Sequence, residues 1–174
     1  MELYGILSEV IDLRSFSNLW YWIVLTVLWS TASHWVLGVP FDLITRARRN
    51  GGQAQLDVEA LVAIKSRRML NVTRTASVPL FFGLTFFFTT LAMLAFWYWL
   101  EFAQALFLLT IWLVPVAWLS LRTALRIEAG ENMGEMLHRR LIMLRRMVQV
   151  VGMFAIFTTA LFGMWRNLAH TVFF

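Results

Sequence analysis

Long apolar runs separated by polar clusters dominate the pattern along the chain. Four runs approach or exceed the roughly 20 residues that a helix needs to cross the hydrocarbon core of a bilayer. They cover residues 19–41, 78–100, 102–121 and 147–165. Because the runs are continuously apolar, they indicate helices rather than the alternating, half-length strands of a membrane barrel. The sequence therefore predicts an all-α, polytopic integral membrane protein with four transmembrane helices in a single membrane domain.

The segments outside the four runs carry helical periodicity of their own. Residues 1–18 place apolar side chains at helical spacing and predict an amphipathic segment on the outer surface. Residues 42–77 predict a helix that begins near Leu56. Residues 122–146 predict another, since the following positions share one helical stripe: Leu137, Leu141, Leu144 and Val148. We expect amphipathic helices in both loops and a short outer tail over residues 166–174.

The positions of the charges predict the direction of the four spans. Only 14% of the residues are charged against 60% apolar, and the net charge is +5. Every Lys and Arg except Arg14 and Arg166 lies in residues 42–77 or 122–146. Lys and Arg accumulate in cytoplasmic loops, so both loops are expected in the cytoplasm and both termini on the other side. In a bacterium this is a multi-pass inner-membrane protein with periplasmic termini.

The basic loops supply the candidate binding residues. Clustered Lys and Arg beside a membrane attract anionic lipid, and the same surface suits an acidic protein partner in the membrane or the cytoplasm. Binding of nucleic acid is not predicted, because no base-stacking or groove-reading element accompanies the charge. The candidate contacts to lipid or partner are Arg46, Arg48, Arg49, Arg67, Arg68, Arg139, Arg140, Arg145 and Arg146.

A second candidate site is polar and lies inside the predicted spans. Ionisable residues within a membrane are functional suspects by default, and His34 is the strongest one in this chain. It either marks the approach to the inner headgroups or belongs to a polar strip of a small oligomeric channel or transporter. The residues of this strip are Ser30, Thr31, Ser33, His34 and Gln149.

The sequence offers little support for catalysis. It contains no cysteine, which excludes disulfides and thiolate ligands. His138 and His170 fall at other depths than His34, so neither a haem nor a three-ligand zinc site is predicted. Glycine-rich phosphate loops, a serine elbow and an HExxH pair are absent. We therefore predict no enzyme activity, metal or cofactor, with a lipid-modifying enzyme as a distant alternative.

Three stretches of the chain carry a family resemblance: "RSFSNLWYWIVLTVLWSTASHWVLGVPFDLITRARRNGGQA", "EFAQALFLL" and "LSLRTALRIEAGE". With them the chain resembles a family of small alphaproteobacterial inner-membrane proteins labelled "component of SufBCD complex". The resemblance implies an accessory to iron–sulfur cluster assembly and carries over no catalytic residues. Without cysteine or clustered histidine, the chain lacks the usual cluster ligands. The predicted role is thus a non-enzymatic accessory or scaffold subunit that docks its partner at the basic cytoplasmic face.

Overall fold

The computed structural model describes Phe16 and residues 19–173, with side chains described as far as Leu168. These residues are almost entirely helical, so the predicted all-α class is confirmed. The predicted outer segment of residues 1–18 lies, except for Phe16, outside the described residues. The side chains of the predicted outer tail beyond Leu168 also lie outside them.

The helices and strands are numbered here in chain order. A helix at Leu19–His34 (α1) leads into a hairpin of two short strands, Trp35–Val36 (β1) and Val39–Pro40 (β2). The remaining elements are α2 (Phe41–Asn50), α3 (Gly52–Thr75), α4 (Ser77–Ala92), a π-helical turn (Met93–Trp97), α5 (Glu101–Ile111), α6 (Leu113–Glu128) and α7 (Gly134–Phe173).

The first predicted span, residues 19–41, is not one continuous helix. Helix α1 ends at His34, and an antiparallel hairpin follows, in which Val36 pairs with Val39. Leu37 and Gly38, the two residues of its turn, both have positive φ. Two-residue hairpin turns of this kind match the twist of the paired strands. The hairpin therefore turns the chain before α2 begins.

Prolines explain two further interruptions of the helical chain. Pro79 lacks the N–H that would donate to the carbonyl of Thr75, and α3 ends at Thr75. Pro115 stands in the same relation to Ile111, where α5 ends. A proline removes this bond and its ring clashes with the carbonyl four residues earlier, so each helix breaks at that point.

Three helices or helix pairs are long and apolar enough to cross a membrane. They are Ser77–Trp97 with 21 residues, Glu101–Glu128 with 28 residues and Gly134–Leu168 with 35 residues. The segments predicted as the third and fourth spans lie within the last two of them, and the predicted second span, residues 78–100, begins within the first and extends three residues past Trp97. Few of their side chains are buried inside the protein, and α4 buries only Leu91. Helix α1, with 16 residues, is shorter than these three.

Helix α7 connects two separate hydrophobic cores. Residues 137–148 of α7 pack with α2, α3, α6 and the hairpin, around Val39, Ile44 and Val62. Farther along, α7 packs against α1 and α5, where the second core centres on Trp29 and Ala155. The part of the protein around the first core will be called the basic bundle; it comprises α2, α3 and residues 119–148. One unbroken helix thus joins the basic bundle to the apolar helices.

Small residues of α7 allow α1 to pack closely along it. A Cβ atom at Gly152 would lie 2.8 Å from Cε3 of Trp29, and one at Gly163 would lie 3.1 Å from Cδ1 of Phe16. Trp29, in the second half of α1, meets Gly152, whereas Phe16, before the start of α1, meets the later Gly163. Helices α1 and α7 are therefore antiparallel. The outward face of α1 is mostly apolar, with Trp20 and Val27 both exposed.

Polar contacts close the end of the protein away from the basic bundle. Arg166 donates a hydrogen bond to the carbonyl of Trp99 at 3.2 Å. The carboxylate of Glu101 accepts a hydrogen bond from the backbone N–H of Phe16 at 2.9 Å. The buried amide of Gln104 donates to a carbonyl of the π-helical turn. These bonds fix the sharp turn between α4 and α5.

The substitution Gly152→Ala tests the close packing of α1 on α7. The added methyl group would collide with the buried Trp29 ring, and overpacking of this kind costs about 1–3 kcal/mol. Gly83→Ala is the matched control, because Gly83 lies in α4 with no neighbour within 4 Å. Both variants gain the same helix propensity, about 1 kcal/mol. We expect the unfolding free energy in detergent to fall by about 1–3 kcal/mol relative to the control; equal stability of the two variants would contradict the packing.

Candidate docking surface

The two basic segments of the sequence come together in the basic bundle. Helix α3 packs against both α2 and α6, and α6 packs against α7. The nine arginines predicted as contacts accordingly lie on one assembly: Arg46, Arg48 and Arg49 on α2, Arg67 and Arg68 on α3, and Arg139, Arg140, Arg145 and Arg146 on α7. They occupy several faces of this assembly rather than one cluster.

Two carboxylates of the basic bundle form two-pronged pairs with arginines. Arg74 donates to both oxygens of Glu128, at 2.7 and 3.0 Å. Arg140 donates to both oxygens of Glu131 through Nε and Nη2. The bonds from Arg140 lower the pKa of Glu131 and raise that of Arg140, while Glu128 raises the pKa of Arg74. The first pair joins α3 to α6, and the second joins the loop before α7 to α7 itself.

Glu135 links α2 to the start of α7. Its Oε1 accepts hydrogen bonds from Arg48 at 3.3 Å and from Arg139 at 3.5 Å. All three side chains are about half exposed or more. Exposed pairs of this kind contribute little to stability, so their main consequence is to neutralise two arginines in part.

The carboxylate of Glu59 caps α7 from a different helix. It accepts a hydrogen bond from the backbone N–H of Gly134 at 2.8 Å and another from Gln55. Gly134 is the first residue of α7, where backbone N–H groups lack partners within the helix. The bond from Gly134, followed by that from Gln55, lowers the pKa of Glu59. The contact anchors the start of α7 to α3 and could not be found from local sequence patterns.

Arg145 is held against an aromatic ring and is only partly accessible. Its guanidinium carbon lies 3.6 Å from the centre of the Phe41 ring, a cation–π contact. Within the described residues no ion pair involves Arg145, and its Nε is buried. Arg145 is therefore a structural contact between α2 and α7 as well as a cation.

Internal contacts thus engage the acids of the basic bundle and leave a surplus of cations. The bundle's remaining carboxylates are Asp57, which accepts a hydrogen bond from Gln53 of its own helix, and Asp42, which lies near His34. Among the nine predicted arginines, five exposed ones have no ion pair with an acid in the described part of the chain: Arg46, Arg49, Arg67, Arg68 and Arg146. These five arginines will be called the free cations.

Two shallow grooves separate the free cations of α2. A groove of about 410 Å³ between α2 and α7 is lined by Phe41, Arg48 and Arg49 together with apolar side chains. Arg46 faces a different groove, of about 270 Å³, whose lining includes Asp57 of α3. The structure therefore places Arg46 and Arg49 of α2 on different sides of the bundle.

The predicted polar strip faces outward from α1 and α7. Ser30, Thr31 and Gln149 are exposed and Ser33 is half-buried. His34 is 54% exposed, and its Nε2 lies 3.9 Å from Oδ1 of Asp42 at the start of α2. His34 thus stands where α1 meets the basic bundle. A pathway through an oligomer stays a prediction.

Three arginines of the bundle were absent from the predicted contacts: Arg74, which is paired with Glu128, and Arg122 and Arg126. Arg122 and Arg126 lie four residues apart on α6 and share a groove with Arg140 of α7. Their spacing places them on one helix face directly after an apolar run, and this pattern could have identified them from the sequence. Among the described residues, no group of three or more His, Cys, Asp or Glu side chains is placed to hold a metal ion.

Comparisons with protein-family models, curated proteins and solved structures gave no match to this chain.

The substitution Glu59→Ala tests the cap on α7. We expect faster amide hydrogen exchange at residues 134–138, corresponding to a loss of about 1 kcal/mol, the usual value of a helix cap. Asp57→Ala is the control, since this neighbouring acid bonds only within α3. The pKa of Glu59 is lowered on folding, so its stabilisation is present above the unfolded pKa and is lost as the pH falls through the folded pKa. Unchanged exchange in Glu59→Ala would show that the cap contributes nothing.

Proposed function

We propose that this protein is a non-enzymatic accessory or scaffold subunit of the bacterial inner membrane. In this proposal four helices anchor the chain, and the basic bundle faces the cytoplasm, where it docks anionic lipid and an acidic protein partner. The observation that carries the proposal is the charge balance of the bundle. Its carboxylates are engaged in internal contacts, whereas the free cations remain exposed.

The fourth span of this proposal is α1. Its 16 residues rise about 24 Å, somewhat less than the hydrocarbon thickness of about 30 Å. Two observations support it: α1 runs antiparallel beside the apolar half of α7, and its outward face is mostly apolar, with the exposed Ser30 and Thr31 close to its end. An outward face of this kind suits contact with lipid. The hairpin after His34 would then lie at the inner membrane surface.

The direction of insertion follows from the positive-inside tendency. The basic bundle contains all Lys and Arg residues except Arg14 and Arg166, and such residues are retained on the cytoplasmic side. The turn between α4 and α5, with exposed Trp97, Tyr98 and Trp99, would lie at the outer interface, which suits amphipathic rings. Both termini would then be periplasmic.

The free cations define how docking would work. An arginine near an anionic membrane surface contributes about 1 kcal/mol to lipid attraction. Toward a protein, complementary charge speeds association and selects against basic partners. The family resemblance suggests the iron–sulfur assembly proteins as the partner, and the absence of cysteine assigns this chain a docking role rather than a cluster-holding one.

Charge reversal on two helices of the bundle tests the proposal. The variant carries Arg67→Glu, Arg68→Glu and Arg146→Glu, and its matched control carries Lys at the same three positions. We expect the partner recovered with wild-type protein from native membranes in mild detergent to fall at least about tenfold with the Glu variant, because attraction becomes repulsion. Quantitative mass spectrometry of the retained proteins, including the Suf components, measures this loss.

The Lys control should retain the partner, since it preserves the charge. Equal recovery with the Glu variant and with wild type would contradict docking by the free cations. Loss with both variants would also contradict it, because the effect would then not follow charge. Helix content by circular dichroism verifies that all three proteins are folded.

A further inference from the structure

A groove between α6 and α7 combines three cations with an apolar wall. It has a volume of about 270 Å³, and its lining includes Leu119, Arg122 and Arg126 from α6 and Arg140, Met143 and Met147 from α7. The free cations and the other arginines predicted as contacts on α2 and α3 lie outside this groove. It is therefore a separate feature of the basic bundle.

The lining of this groove changes from apolar to basic along both helices. On α6 the order toward the bundle's far end is Leu119, Arg122 and Arg126, one helical turn apart at each step. Since α7 follows the opposite course, Met147 and Met143 precede Arg140 in the same direction. Both walls therefore begin apolar next to the proposed membrane spans and end basic. This gradient matches the order of acyl chain and phosphate in a phospholipid.

The charges in the groove are only partly compensated. Arg140 is bonded to Glu131, and Arg126 is near enough to help lower the pKa of Glu131. Arg122 contacts the exposed Trp118 ring, its guanidinium carbon lying 5.3 Å from the ring centre. The three arginines of the groove thus have one carboxylate near two of them and none described beside Arg122, so the groove has a surplus of positive charge. The Trp118 ring orients Arg122 without neutralising it.

We propose that this groove binds the phosphate of an anionic phospholipid, with Arg122 and Arg126 as the principal contacts and Leu119, Met143 and Met147 against the acyl chains. The inference rests on the membrane placement in the proposed function but not on docking of a protein partner. Basic pockets beside membrane helices on the cytoplasmic side hold lipid headgroups in this way. Methionine suits the acyl side because its flexible thioether adapts to irregular apolar shapes.

Lipid binding to the purified protein tests this proposal without any partner. Native mass spectrometry in detergent would follow titration with dioleoylphosphatidylglycerol, with dioleoylphosphatidylcholine as the zwitterionic probe. The variant carries Arg122→Gln and Arg126→Gln, and the matched control carries Arg67→Gln and Arg68→Gln on α3. We expect the first variant to bind phosphatidylglycerol about thirty-fold more weakly, as two contacts of about 1 kcal/mol imply. The control, which removes two free cations outside the groove, should weaken binding by about fivefold at most.

Three results would overturn the proposal. Equal affinity of wild type for the two lipids would show that the groove does not select the anionic headgroup. Equal weakening by both double variants would show diffuse attraction rather than a site. Displacement of the lipid by an equal concentration of glycerol 3-phosphate would show that the groove binds a soluble phosphate and that the acyl contacts contribute nothing.

A single variant provides for the case in which the double variant does not fold. Arg122 is exposed, and Arg122→Gln alone should weaken phosphatidylglycerol binding about fivefold. Unchanged binding by this variant would likewise contradict the assignment. These titrations contain no partner protein. Loss of the partner in the charge-reversal experiment and loss of lipid selectivity in the titration are therefore independent outcomes.

Discussion

The close contact between Trp29 and Gly152 fixes α1 against α7, the helix that joins the two parts of the structure. Since Gly152 has no side chain, the indole ring lies directly on the backbone of α7, and α1 follows that helix for several turns. Helix α7 continues without interruption into the basic bundle. The position of the bundle relative to the apolar helices therefore depends on the continuity of α7, and the contact with Trp29 holds α1 against the same helix.

The polar contacts of the bundle have more effect on its surface charge than on its stability. Most of its ion pairs are substantially exposed, and such pairs are worth at most about 1 kcal/mol. Stability comes instead from buried aliphatic side chains such as Val62, Leu137 and Leu141. What the pairs determine is which arginines are neutralised. In the proposed function, the free cations are the part of the positive charge left for binding.

The sequence was informative where one local property decides the structure. Continuous apolar runs identified the three long helices, and glycine and charge patterns indicated helices in the basic segments. The hairpin after His34 was missed, because its residues Trp35 to Pro40 extend an apolar run and resemble more of the same helix. The continuity of the fourth predicted span with the preceding loop helix was also missed, since α7 changes from amphipathic to apolar without a break in the helix.

The site depended on contacts that sequence patterns do not record. The nine candidate arginines were placed on one bundle, but pairing with distant acids decided which of them remain free. Glu59 and Gly134 are separated by most of α3 and by α4 to α6, so no local pattern connects them. Arg122 and Arg126 were predicted only as loop charges, because their groove exists only when α7 packs beside α6.

The most direct test of the central claim is the side of the membrane on which each segment lies. Since the natural chain has no cysteine, Asn18→Cys, Tyr98→Cys and Arg68→Cys each provide one unique thiol for a membrane-impermeant maleimide. The account predicts that Asn18→Cys and Tyr98→Cys are labelled in cells with an intact inner membrane and that Arg68→Cys is labelled only after that membrane is opened. Protection of Asn18→Cys together with Arg68→Cys would show that α1 does not cross, and labelling of Arg68→Cys in intact cells would place the basic bundle outside.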